Sequence, residues 1–170
     1  MALTQIIGSG ISGVTVPNFI AEADQYRLTA DITSDVNPIS SNLERVDDAS
    51  FSKIGTGMSV SSGIFSFPQT GLYFVKVNGL GEAVNSDNLE IDVYVTVNNS
   101  SYDLVAITLA SGDDGTGSTS FATETLVNVT DISNVKMKFG GASITAGSSI
   151  RGNTGYNFTS FMFIRLGESQ

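Results

Sequence analysis

Asp47 and Asp48, with Glu44 and Arg45 just ahead of them, put three carboxylates and a guanidinium within five residues. A pair of carboxylates is what glycoside hydrolysis needs, one acting as acid and the other as base or nucleophile. Neighbouring residues on a strand point to opposite faces, however, so adjacent carboxylates do not readily converge on one bond. A pairing of Arg45 with Asp48 across subunits is the better sequence reading, and it is structural, not catalytic.

Other chemistry is narrowed by what the chain lacks. With no histidine there is no Ser-His arrangement, no usual base near neutral pH and no imidazole metal ligand. With no cysteine there is neither a thiolate nucleophile nor a sulfur site. The turn Ser111 to Ser118, SGDDGTGS, offers Asp113 and Asp114 as hard oxygen donors, yet it lacks the spaced aspartates and distal Glu of a dedicated calcium loop. It reads as a surface turn, with Asp113 and Asp114 kept as candidate ion or glycan contacts. Tyr94 and Tyr102 are the aromatic candidates for stacking on a sugar ring. The sequons at Asn99, Asn128 and Asn157 read as strand and turn polarity. No catalytic residue, metal or cofactor is expected.

The net charge of −9, with eight Lys and Arg scattered from Arg27 to Arg165, argues against nucleic acid, because phosphate binding needs clustered cations. The first twenty residues are apolar but broken by Gly8, Gly10, Gly13 and Pro17 and carry no basic start, so neither an export signal nor a membrane span is expected there. Residues 1–20 are read instead as an arm, with Ile6, Ile7, Ile11, Val14 and Val16 as anchoring points, and residues 21–170 as one domain.

The elements that would position these groups are strands. Eighteen glycines, frequent Ser, Thr, Asn and Val, and no apolar stripe at helical spacing predict an all-β chain. Asp24 to Ile32 alternates with Tyr26, Leu28, Ala30 and Ile32 on one face. Leu89 to Val97 does the same through Leu89, Ile91, Val93, Val95 and Val97. Further strands are predicted at 63–67, 72–79, 102–109, 120–129, 135–139, 143–146 and 156–166. With turns at Asn98-Asn99, Gly112 to Gly115 and Gly140-Gly141, this gives a two-sheet antiparallel sandwich of about eight to ten strands.

Two strands are apolar on both faces. In GLYFVKVNG, Tyr73, Val75 and Val77 form one face while Leu72 and Phe74 form the other. In YNFTSFMFIRL, Tyr156, Phe158, Met162, Ile164 and Leu166 are assigned to the core, leaving Phe161 and Phe163 outward. Such strands must be covered twice. With no helices in reach, the second cover is another subunit or the folded-back arm, and a subunit interface of Leu72, Phe74, Phe161 and Phe163 is the preferred reading.

The hairpin FSFPQTGLYFV, in which Phe-x-Phe-Pro leads through a turn closed by Gly71 into Leu-Tyr-Phe, resembles the signature of the tumour necrosis factor and complement-q globular-head superfamily. TLVNVTDISNVKMKF, residues 125–139, resembles that superfamily's penultimate hairpin, and TSFMFIRLG, residues 159–167, its closing strand. The resemblance implies a TNF-like jelly roll that assembles as a homotrimer, with the two-faced strands toward the threefold axis. DQYRLTADIT, NLERVDDASFSKIGTGM and SGIFSFPQTGLY further resemble proteins of tailed-phage virions. The function expected from this is non-enzymatic: a virion protein acting as a capsid decoration knob or short fibre tip, joined to another virion protein through its arm. The alternative is an adhesin for host surface glycans on the same trimer.

Overall fold

The computed structural model describes residues 20–84, 87–112 and 117–170. The arm residues Ile6, Ile7, Ile11, Val14 and Val16, and Asp113 and Asp114 of the acidic turn, lie outside the described residues. Ten strands of three or more residues and one of two residues follow one another: β1 (Ala23–Leu28), β2 (Leu43–Arg45), β3 (Ser59–Ser61), β4 (Ile64–Ser66), β5 (Gly71–Ala83), β6 (Asn88–Thr96), β7 (Asp103–Ser111), β8 (Gly117–Val129), β9 (Lys136–Ala142), β10 (Ser149–Ile150) and β11 (Ser160–Gly167). Among the described residues there is no helix.

They form two antiparallel sheets. In the first, β5 carries β8 along one flank and β11 and β10 along the other, and the sheet continues through β1 to β2. The second has the order β3-β4-β9-β6-β7. Because β4 and β5 are consecutive in sequence but belong to different sheets, the chain crosses between layers at Phe67 to Thr70, the Pro-punctuated turn. Gly71 sits there at φ 151°, and a Cβ on it would meet the carbonyl oxygen of Gly167 at 2.6 Å, so this re-entry into the sheet requires glycine. Sequential strands that alternate between two sheets in this way define a jelly roll.

Between the sheets lies an aromatic core. Phe65 of β4 meets Tyr26 of β1 edge to face at 5.2 Å and Phe163 of β11 at the same distance. Phe139 of β9 stacks on Phe161 of β11 at 4.3 Å. Phe161 and Phe163 are 0% and 1% exposed. Their assignment to a subunit face is therefore corrected: they belong to the core of the single chain. The register supplies the reason. Phe161 stands opposite Val77 and Phe163 opposite Val75, the inward residues of β5, so Met162 and Ile164 are the outward ones. Tyr156 and Phe158, which share a parity with Met162 and Ile164 in the sequence, lie in the loop before the strand, which starts only at Ser160, and so carry no information about its inward face.

Smaller departures have similar causes. β1 stops at Leu28, and Ile32 is held by a bridge to Ile150 instead of by a continued strand. β6 ends at Thr96, which turns Val97 out to solvent at 69% exposure. Residues 143–146 are not a strand; β10 forms at Ser149–Ile150. The predicted inward sets Tyr73, Val75, Val77 and Leu89, Ile91, Val93 are all buried.

Candidate interaction surfaces

The charged group around Asp47 is built into the fold and not into a cleft. Arg27 on β1, 1% exposed, receives three carboxylates: its Nε donates to Glu44 at 2.6 Å, one terminal nitrogen to Asp47 at 2.8 Å and the other to Asp48 at 3.0 Å. Glu44 reaches it because β1 and β2 place Arg27 and Glu44 opposite each other. Arg45, one residue on, points the other way and binds Asp24 at 3.0 Å, the Tyr26 hydroxyl at 2.8 Å and the Met58 carbonyl at 2.6 Å. The expected pairing of Arg45 with Asp48 is thus replaced by two separate ion-pair sites within one chain. Glu22 completes this side by accepting from the backbone amides of Thr56 and Gly57 at 3.1 and 2.8 Å. All these carboxylates are occupied in holding residues 44–58 against β1. Among the described residues, no group of three or more His, Cys, Asp or Glu is placed to hold a metal ion.

Tyr94 and Tyr102 come together on the outer face of the second sheet. Tyr94 on β6 stands opposite Lys138 on β9, and Tyr102 returns from the β6–β7 turn, so the Lys138 ammonium lies 5.1 Å from one ring centre and 4.8 Å from the other. The Tyr94 hydroxyl donates to Asp92 at 3.0 Å. The two rings thus grip a lysine, an arrangement worth about 0.5–1 kcal/mol at an exposed site.

The outward face of the first sheet is where apolar groups gather. Cross-strand register sets Leu126 of β8, Phe74 of β5, Ile164 of β11 and Ala23 of β1 in one row. Leu72 and Met162 flank it, and Leu126 is 57% exposed. A second apolar surface lies on the other layer, where edge strand β7 exposes Leu104, Val105, Ile107 and Leu109 at 44% to 56%. Sequence reading missed this strip, although the alternation of Ile107 and Leu109 with Thr108 and Ala110 carried the signal.

Strand order, layering and the aromatic core together define a TNF-like jelly roll. The chain is similar in structure to murine APRIL, with a TM-score of 0.64 and 11% identity over 85% of this chain and 98% of the other. Eiger TNF from S. frugiperda gives 0.64 and 12% identity over 87% and 94%. The PRD1 vertex protein P5 gives 0.55 and 16% identity over 87% of this chain and 99% of that one. At these identities the likeness is one of fold. No protein-family model matches the sequence, and no curated protein is significantly similar to it.

Proposed function

We propose that this chain is a non-enzymatic structural protein of a phage virion, a homotrimeric jelly roll serving as a capsid decoration knob or short fibre tip and anchored through residues 1–20. The observation that carries the assembly is the pair of unlike apolar surfaces, the Phe74 row on one sheet and the β7 strip on the other. Unlike patches on one molecule favour head-to-tail contacts, and such contacts close into a ring when the rotation between copies allows it. In this reading the interface consists of Leu72 and Phe74 together with Leu126, Met162 and Ile164, which take the place first given to Phe161 and Phe163. Five large side chains that are already about half covered would contribute about 4–7 kcal/mol per subunit before ordering costs. Support for the virion setting comes from the shared fold of the PRD1 vertex protein P5.

Phe74→Asp tests the assembly directly. By light scattering it should run as a monomer while keeping its β circular dichroism, and Ile107→Asp on the other surface should do the same. A Phe74→Asp protein that stays trimeric removes the interface. Deleting residues 1–20 should leave the trimer intact and abolish incorporation into particles; normal incorporation sinks the anchor.

A second reading, an adhesin for host surface glycans, is favoured by one feature, a polar cleft on the outward face of the first sheet.

A further inference from the structure

We infer that this cleft is a binding site for a neutral saccharide, an inference that rests on the adhesin reading and names its site and ligand class. The cleft encloses about 420 Å³ and is walled by Asn78 and Leu80 of β5, Ser120 and Ala122 of β8, and Asn157 and Phe158 of the loop before β11. It sits on the outward face because Asn78 faces Ala122 and Leu80 faces Ser120 across the β5–β8 ladder, in phase with Phe74 and Leu126. It begins about 13 Å beyond Phe74 along the strand, with the polar residues Lys76 and Glu124 between the cleft and the apolar row.

The wall formed by residues 151–159 is fixed before any ligand arrives. Its backbone amides at Arg151, Asn153 and Gly152 donate to Leu80 O, Leu28 O and Asp31 Oδ1 at 2.8, 2.8 and 2.9 Å. Arg151 lies over the Phe158 ring at 5.7 Å and is ion-paired to Asp31 and Glu82. Tyr156, 54% exposed, packs edge-on against Phe158 at 4.7 Å.

Among the described residues, neither the Asn78 and Asn157 carboxamides nor the Ser120 hydroxyl is used in a hydrogen bond within the chain. Two carboxamides and a hydroxyl facing one space offer donors and acceptors together, which suits adjacent sugar hydroxyls that also both donate and accept. Phe158 and Leu80 supply apolar surface for the C–H side of a ring. The volume lies in the range of small-molecule sites. Among the described residues no charged side chain lines the cleft. Of the cations around it, Arg151 is ion-paired to Asp31 and Glu82, and Lys76, one row away on β5, stands across from Glu124, so the surrounding charge is balanced and favours a neutral ligand over an anionic one. An apolar ligand would leave the three polar groups unpaired when it displaced water.

Saturation-transfer NMR on the full chain, with the methyl glycosides of glucose, galactose, mannose and N-acetylglucosamine as probes, tests this. At least one should receive saturation and titrate. Asn157→Ala, a loop change that spares β5, should weaken that glycoside by about tenfold or more, and Ala122→Trp, which fills the cleft from an exposed position, should abolish binding. Both variants should keep the wild-type mass by light scattering and the wild-type melting temperature. Silence from all four glycosides, or unchanged affinity in both variants, overturns the site. A wild type that binds sugar as a monomer counts against the trimer alone, whereas a trimer that binds none of the probes counts against the cleft alone.

Discussion

The rings of Phe139 and Phe161 lie 4.3 Å apart, 29° from parallel, and through them β9 of one sheet meets β11 of the other. Each ring also packs near Phe65, at 5.4 and 6.4 Å, so three strands from two layers share one aromatic contact.

Phe161→Ala should therefore lower stability by about 3–5 kcal/mol, the range for deleting a fully buried phenylalanine. Urea unfolding followed by circular dichroism measures it. A loss below about 1 kcal/mol would mean that this ring is not in the core. For the same reason Phe161→Asp is a folding mutation, and loss of trimers in that variant would say nothing about an interface.

The Arg27 site makes an asymmetric prediction. Its side chain is 2% exposed, while Glu44, Asp47 and Asp48 are 32%, 77% and 40% exposed. Removing one carboxylate leaves a buried guanidinium with two partners, and Asp47→Asn should cost less than about 1 kcal/mol. Arg27→Ala takes away all three charge-assisted bonds at once and leaves three carboxylates crowded together, for a loss of about 2–4 kcal/mol. Limited proteolysis should then cut first within residues 46–52, which hold two of the three freed carboxylates, Asp47 and Asp48. Equal losses from the two substitutions would refute this arrangement.

Asp92 gives a pH dependence. It is 7% exposed, and one of its carboxylate oxygens has no hydrogen-bond partner among the described residues. Burial pushes its pKa above the ordinary 3.8, the Tyr94 hydroxyl opposes this, and Glu90 and Asp35 add to it. A carboxyl with a raised folded pKa stabilises the fold below its unfolded value, and that stability is lost as pH rises through the folded value. Asp92→Asn should consequently melt higher than wild type at pH 7 by a few degrees, and the gap should close as pH falls below about 4. Thermal melts across that window check the sign; a variant less stable than wild type at pH 7 would reverse it.

Much of the fold could be read from the residues in order. A period of two in Tyr73, Val75, Val77 and in Leu89, Ile91, Val93 fixes strands, because alternate side chains on a pleated backbone must share a face. Pro68 and Gly71 mark the turn between sheets, because one blocks the ladder and the other can adopt φ 151°. That β5 and β11 are apolar on both faces was equally visible. Periodicity, however, gives two faces without saying which is inside. In β5 the inward face was assigned correctly, but in β11 a loop posing as two more strand residues set the reading on the wrong face, and only pairing with Val75 and Val77 decided that Phe161 and Phe163 enter the core. The same limit applies to the Arg27 site and to the cleft. Glu44, Asp47 and Asp48 stand 17 to 21 residues from Arg27, and Asn157 comes beside Asn78 only because β5 lies between β8 and β11. A chain by itself dictates local alternation and turning, since these depend on near neighbours. Convergence of distant polar groups depends on strand register, which is settled when whole faces are buried together.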